Sequence, residues 1–115
     1  MGLMTMIIIE NERSFTQHVR TLAELAGWGL IYHTHNSERS DPGFPDLVLV
    51  RGDRLVFAEL KYDRGCADWD DRSRRKAQVT GHQKRWQAGL LGIPGVEFYL
   101  WRYPEHVDQL ETVLA

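Results

Sequence analysis

Two carboxylates and an ammonium group stand at the ends of two neighbouring apolar stretches. Asp46 directly precedes the apolar run 47–50, and Glu59 and Lys61 follow the apolar run 55–58. Because side chains alternate faces along a β-strand, Glu59 and Lys61 are expected to project to the same side. Asp46 would open the adjacent strand, so the three charged groups are predicted to converge at one end of a sheet.

Such a group suits the hydrolysis of a phosphate ester. Mg²⁺ and Mn²⁺ prefer oxygen ligands and are often held by one or two carboxylates together with a substrate phosphate. The metal polarises a phosphoryl oxygen and activates a bound water, and a lysine beside it can orient or deprotonate that water or offset developing charge. Taken singly, each residue is more typical of solvated surface. Charges at the end of an apolar strand are costly, however, unless they are paired, hydrated or bound to a metal.

The elements that must position these groups can be predicted from the same sequence. The pair Gly52-Asp53 between the two apolar runs indicates a β-hairpin. Apolar residues at three- and four-residue spacing predict a helix over 11–26, ended by Gly27. A strand is predicted over 28–35, followed by a polar loop that leads to Pro45.

The second half of the chain predicts three further elements. Thr80 is a candidate N-cap for a helix over 80–91, which would turn Trp86, Leu90 and Ile93 toward the sheet. Alternation over 96–101 indicates a last strand, and 104–114 indicates a terminal helix. The predicted fold class is therefore α/β, a mixed β-sheet flanked by helices in the order αβββαβα. The 115 residues form one domain, 1–115, with a polar inserted loop at about 62–79.

The ordered motifs resemble a known nuclease signature. Pro45-Asp46 followed by Glu59-Leu60-Lys61 resembles the PD-(D/E)xK pattern, which is weak by itself. The flanking residues make it more specific and are similar to the VRR-NUC branch, the virus-type replication-repair nucleases: Gly43-Phe44-Pro45-Asp46-Leu47, Phe57-Ala58-Glu59-Leu60-Lys61 and Thr80-x-x-Gln83-x-x-Trp86. The resemblance extends from about residue 12 to about residue 104.

The resemblance implies a restriction-endonuclease-like core and a set of site residues. Asp46, Glu59 and the backbone carbonyl of Leu60 would bind Mg²⁺ or Mn²⁺, and Lys61 would position or activate the attacking water. Gln83 would help to place Lys61 or the substrate phosphate, although a surface amide is the alternative. Glu12 would approach the metal, directly or through water. Glu10 is a competing candidate for that role, and complementing the helix dipole is an alternative role for Glu12.

The function implied by the resemblance is metal-dependent DNA endonuclease activity. Structure-selective cutting similar to that of Holliday-junction resolvases would require two symmetric cuts, which favours a homodimer. The apolar N-terminus and the terminal helix are the candidate dimer surfaces. Two alternatives stay open: a non-catalytic module that binds branched DNA or a replication partner, and a nuclease that acts on RNA, since contacts with the 2′-OH are not visible in sequence.

Several residues outside the core motif are candidates for DNA contact. His33 and His35 would share one strand face but lack the further ligands that a zinc site needs. The resemblance implies instead that His33 lies near the substrate side. The remaining candidates are basic residues in loops and on the second helix: Arg39, Arg72, Arg74, Arg75, Lys76, Lys84 and Arg85. For the loop cluster, ion pairing with Asp68, Asp70 and Asp71 is an equally weighted alternative.

The composition limits the classes of function. A formal charge of −2 argues against a broad basic surface, so a nucleic-acid site must be local or must be offset by metal ions. The single cysteine, Cys66, excludes an internal disulfide and fits a reducing compartment. No segment has the pattern of a signal peptide or a transmembrane span. We therefore expect a cytoplasmic protein with no membrane partner.

Overall fold

The structure, a computed structural model, describes residues 8–34, 41–63 and 79–115. Within these ranges the predicted order of elements is confirmed. They are α1 (Glu12–Leu25), β1 (Leu30–His33), β2 (Leu47–Arg51), β3 (Arg54–Tyr62), α2 (Gly81–Leu91), β4 (Val96–Tyr103) and α3 (Val107–Leu114). Positions 64–78, the greater part of the predicted inserted loop, lie outside the described residues.

The four strands form one mixed sheet in the order β1-β2-β3-β4. The pairs β1–β2 and β2–β3 are antiparallel, and β3–β4 is parallel. Gly52 turns the predicted hairpin with a φ of +60°, a conformation that glycine adopts readily. Because β2 runs against β3, the start of β2 lies at the same end of the sheet as the carboxyl ends of β3 and β4.

One face of the sheet carries the hydrophobic core. It is covered by α1 and α3, and along β3 it takes Val56, Ala58 and Leu60, all fully buried. From α1 the core receives Phe15, Val19 and Ala23 of the predicted apolar stripe, and from the other elements it receives Leu47, Leu49, Trp101, Leu110 and Leu114. Alternation along β3 then sends Glu59 and Lys61 to the opposite face.

That opposite face is packed mainly through aromatic side chains. The ring of Phe44 meets Trp86 of α2 edge-on at 4.9 Å and Phe57 of β3 at 6.2 Å. The expectation that Ile93 faces the sheet is wrong, since α2 ends at Leu91 and Ile93 is 49% exposed. The turn at Gly92 carries the chain away before another helical position can face inward.

Three predicted boundaries also differ from the structure. The first strand begins at Leu30, because the Trp28 N–H still donates to the Ala23 carbonyl of α1 at 3.0 Å and pairing with β2 starts only at Leu30. The last strand continues to Tyr103, where it still pairs with Tyr62. Residues 104–106 form a turn, so the terminal helix starts at Val107.

No helix within the described ranges has the length and apolar character needed to cross a membrane.

Candidate active site

Asp46 directly precedes β2 and is held there by backbone groups. Its Oδ2 atom accepts a hydrogen bond of 2.8 Å from the N–H of Leu60, and its carbonyl accepts one of 2.9 Å from the N–H of Thr34. The pairing of β2 with β3 ends at Leu47 and Ala58, so Asp46 replaces the next backbone partner of β3. In a strand the N–H and C=O of one residue point to the same edge. The Leu60 carbonyl therefore faces the edge occupied by Asp46.

Glu59 is buried, and its carboxylate is held by the first turn of α2. Gln83 Nε2 donates to Glu59 Oε2 at 2.7 Å, and Glu59 is only 3% exposed. The other end of the same amide is also engaged, since Gln83 Oε1 accepts from the N–H of Thr80 at 2.9 Å. Thr80 in turn caps the helix by accepting from the Gln83 N–H at 3.1 Å. The amide can satisfy both partners in one orientation only.

Lys61 lies beside the same carboxylate oxygen. Its Nζ atom is 3.8 Å from Glu59 Oε2, an ion-pair distance that is too long for a hydrogen bond. The side chain is 7% exposed. The resemblance implies that Gln83 helps to place Lys61. In the structure Gln83 and Lys61 both approach Oε2 of Glu59, so any such support acts through that carboxylate.

Glu12 is the first residue of α1 and lies near this cluster. Although the residue is exposed as a whole, partial burial of its carboxylate and the nearby Asp46 charge raise its pKa, while Lys61 opposes the shift. Glu12 is thus electrostatically part of the site. The competing candidate Glu10 is exposed, lies just outside the helix, and donates its N–H to Ser14.

The charges of the cluster do not balance. Burial raises the pKa of Glu59 to about 9, with further contributions from the Asp46 charge, a hydrogen bond to Asp46 and the Glu12 charge; Lys61 lowers it only in part. A raised pKa on a buried carboxylate indicates that nearby positive charge does not offset its burial and the neighbouring carboxylates. One ammonium group is insufficient for three carboxylates.

A divalent cation would supply the missing charge, and the donor set suits a hard cation. Asp46 and Glu59 offer carboxylate oxygens, and the Leu60 carbonyl faces the Asp46 side. Within 8–34, 41–63 and 79–115, no three His, Cys, Asp or Glu side chains form a group that could hold a metal ion by themselves. Mg²⁺ is typically held by one or two carboxylates with substrate phosphate rather than by a complete protein cage. The residues present therefore fit Mg²⁺ or Mn²⁺ bound together with a substrate.

Gly43 brings α2 to this end of the sheet. It has a φ of +82°, and a Cβ atom placed on it would lie 2.3 Å from the carbonyl carbon of His82 and 2.6 Å from the nitrogen of Gln83. Only glycine allows the backbone before Asp46 to approach the first turn of α2 so closely. This approach sets the position from which Gln83 reaches Glu59.

Of the residues predicted to contact DNA, three lie within the described parts of the chain. His33 pairs with Leu47, one residue from Asp46, and is exposed. Lys84 and Arg85 are exposed on α2, the helix that carries Gln83. The remaining candidates lie outside the described residues: Arg39, Arg72, Arg74, Arg75 and Lys76.

Two features of the site were not evident from sequence. Gly43 belongs to the motif, but its close approach to His82 depends on packing between segments that are distant in the chain. An open groove of about 580 Å³ also lies between Asp41 and the side of α2 that carries His82, Trp86 and Gly89. Small and apolar residues at helical spacing after Trp86 are the only sequence signal for it.

Comparison of the chain with protein-family models, curated proteins and solved structures gave no match.

Proposed function

We propose that this protein is a metal-dependent nuclease that hydrolyses phosphodiester bonds in DNA. The observation that carries the proposal is the buried Glu59 carboxylate, which Gln83 and Lys61 share and which lies beside Asp46. Such an arrangement is poorly balanced in charge by itself. It becomes favourable when a cation and a substrate phosphate complete it.

The residues would divide the work as follows. Asp46, Glu59 and the Leu60 carbonyl would hold Mg²⁺ or Mn²⁺, with Glu12 assisting directly or through water. When bound, the metal would polarise the phosphoryl group and lower the pKa of water. Lys61 would orient the attacking water and stabilise the extra negative charge of the transition state. Gln83 would keep the Glu59 carboxylate in one orientation.

The reaction itself is hydrolysis. The water oxygen bonds to phosphorus as an ester P–O bond breaks, and the protons of the water end on the leaving oxygen and in solvent. The exposed His33, Lys84 and Arg85 would hold the DNA backbone on either side of the site. We further propose structure-selective cutting of branched DNA, as the motif resemblance implies.

Symmetric cutting of a four-way junction would need a homodimer. The terminal helix suits this role poorly, since Leu110 and Leu114 of α3 are turned into the core. Strand β1 is the better surface, because it is an outer strand of the sheet formed by the described residues and exposes Leu30 and Tyr32 at 67% and 53%. Molar mass measured by light scattering tests this part separately.

The first experiment is cleavage of labelled nucleic acid by the purified protein. The panel holds a four-way junction, a flap, single strands and plain duplex, with an RNA strand for comparison, each in Mg²⁺, Mn²⁺ or EDTA. We expect metal-dependent cutting of DNA that Lys61→Ala abolishes. Lys84→Ala is the matched control: it removes an exposed lysine from α2 and should reduce affinity only modestly.

Other results would change the assignment. Junction binding without cutting in any metal would favour a non-catalytic DNA-binding module. Preferential cutting of the RNA strand would change the substrate class and leave the site assignment intact. Cutting that persists in EDTA or in Lys61→Ala would overturn the proposal.

A further inference from the structure

The groove along α2 reaches the first turn of that helix, the turn that carries Gln83 of the candidate site. One of its walls is the turn that begins at Asp41 and Pro42, in which the Phe44 N–H donates to the Asp41 carbonyl at 3.3 Å. The other wall is α2 from His82 onward. Because Gly43 presses on the backbone of His82, the two walls meet at the first turn of α2, which carries Gln83.

The groove is lined by both apolar and charged side chains. Its interior presents the indole of Trp86 and the side chains of Leu90 and Ile93, while Arg85 and Asp41 supply charge. The indole is held in place by the edge-on contact with Phe44 at 4.9 Å. A volume of about 580 Å³ falls within the roughly 300–1,000 Å³ of small-ligand sites.

Gly89 lines the groove at a position where the fold does not require a glycine. It lies in the interior of α2, where glycine is less favourable than alanine. Its φ is not positive, and a Cβ atom placed on it would meet no atom within 4 Å. Neither backbone conformation nor packing calls for glycine here. The missing side chain leaves space in the wall of the groove, beside Trp86.

We propose that the groove binds the base of an unpaired nucleotide adjacent to the phosphate that is cut; this rests on the proposed nuclease function. A nucleobase is flat and apolar on its faces and polar at its edges. The base could stack on the Trp86 indole and occupy the space over Gly89. The Asp41 carboxylate could accept a hydrogen bond from a base N–H, and Arg85 could bind the neighbouring phosphate.

This assignment defines the substrate more closely. Plain duplex keeps its bases stacked and paired, whereas flaps and single strands present unpaired bases, and the base pairs at a branch point open more readily than those inside a duplex. The protein would therefore select branched DNA by capturing one unpaired base rather than by reading sequence. An apolar peptide would contact Trp86 and Ile93 but would leave Asp41 and Arg85 unpaired; self-association is tested by molar mass.

The test compares binding of two probes by two variants. The probes are a short fluorescein-labelled oligothymidylate and a phosphodiester chain of the same length without bases, with Ca²⁺ replacing Mg²⁺ to limit cutting. Gly89→Leu fills the groove, and Ala88→Leu places the same side chain on the neighbouring exposed position outside it. Leucine is a good helix former at both positions, and thermal melting checks that both variants fold.

We expect the wild-type protein to prefer the oligothymidylate by about tenfold, the effect of one base stacked on an aromatic side chain. Gly89→Leu should remove that preference without weakening the binding of the abasic chain, and Ala88→Leu should keep it. Equal binding of both probes by the wild type, or equal preference in both variants, would overturn the proposal. A change in molar mass with Gly89→Leu would also overturn it and assign the groove to self-association.

The two experiments can reject the groove proposal and the nuclease proposal independently. If the cleavage panel shows metal-dependent cutting and the base preference is absent, the nuclease stands and the groove proposal falls. If nothing is cut but the preference depends on Gly89, the groove binds bases in a protein that is not a nuclease, and its relation to a cut phosphate is overturned.

Discussion

Each end of strand β3 carries a pair of one acidic and one basic side chain, but the two pairs differ in burial and in hydrogen bonding. At its start, Arg54 donates two hydrogen bonds to Glu97, of 2.8 and 2.7 Å, with both side chains about one-third exposed. At its end, Glu59 and Lys61 are buried and 3.8 Å apart. The Arg54 hydrogen bond lowers the pKa of Glu97, whereas burial raises the pKa of Glu59 to about 9.

The difference shows how a structural ion pair can be distinguished from a candidate active site. The Arg54–Glu97 pair is complete, since Tyr99 also donates to Glu97 at 2.6 Å and no further cation is needed. At the other end Lys61 lowers the pKa of both Glu59 and Glu12, while Asp46 raises the pKa of both. The remaining demand of Glu59 for positive charge is what a substrate-bound metal would satisfy.

The largest expected difference between the two ends is in cleavage. Glu59→Gln keeps the shape of the side chain but removes the charge that would bind the metal, so we expect cutting to fall by about 10³-fold. The matched variant Glu97→Gln should cut within about twofold of the wild type. Cleavage rates under single-turnover conditions measure both. Equal losses of cleavage in the two variants would show that the Glu59 end of β3 is no more important for activity than the Glu97 end.

The second expected difference is in the pH dependence of stability without metal. Because the pKa of Glu59 is higher in the folded than in the unfolded chain, the folded state holds a proton that the unfolded state releases. The free energy of unfolding should therefore fall as pH rises from about 4.5 to about 9. Each pKa unit corresponds to about 1.4 kcal/mol.

Thermal melting in EDTA across pH 5–9 measures this effect. Glu59→Gln should flatten the decline and exceed the wild type in stability near pH 9, and Mg²⁺ with a nucleotide should restore the wild type. A decline that is unchanged in Glu59→Gln would locate the titrating group elsewhere; Glu12 is the next candidate, because its pKa is raised as well.

The smallest expected effect is at the complete pair. Glu97→Gln should lower the free energy of unfolding by at most about 1 kcal/mol at neutral pH, because both partners are screened by solvent. The pKa of Glu97 is lowered in the folded chain, so its contribution is present above the unfolded value and is lost as pH falls through the folded one. Urea unfolding at pH 7 and pH 3 checks this; a larger loss at pH 3 would contradict it.

The sequence predicts the local parts of this site well. The hairpin follows from Gly52-Asp53 between two apolar runs, and the faces of Glu59 and Lys61 follow from strand alternation. Thr80 as an N-cap follows from residue type, and the structure confirms it. Each of these features depends on neighbours within a few positions in the chain, which is the range over which periodicity and capping carry information.

Packing between distant segments could not be predicted in the same way. The hydrogen bond from Gln83 to Glu59 joins residues 24 positions apart, and the close approach of Gly43 to His82 depends on where α2 docks. The prediction that Ile93 faces the sheet is wrong for a related reason. Ile93 lies beyond the predicted helix end at residue 91, so its position depends on how the turn at Gly92 directs the chain rather than on helical spacing.

The double use of the Gln83 amide ties the motion of α2 to the state of the site. The first turn of a helix is where fraying starts. Here Thr80 and Gln83 close that turn, and the same amide donates to Glu59. Opening of the turn therefore releases the carboxylate in the same event. The amide protons at the start of α2 and the orientation of the Glu59 carboxylate report on one local equilibrium, which a bound substrate would shift as a unit.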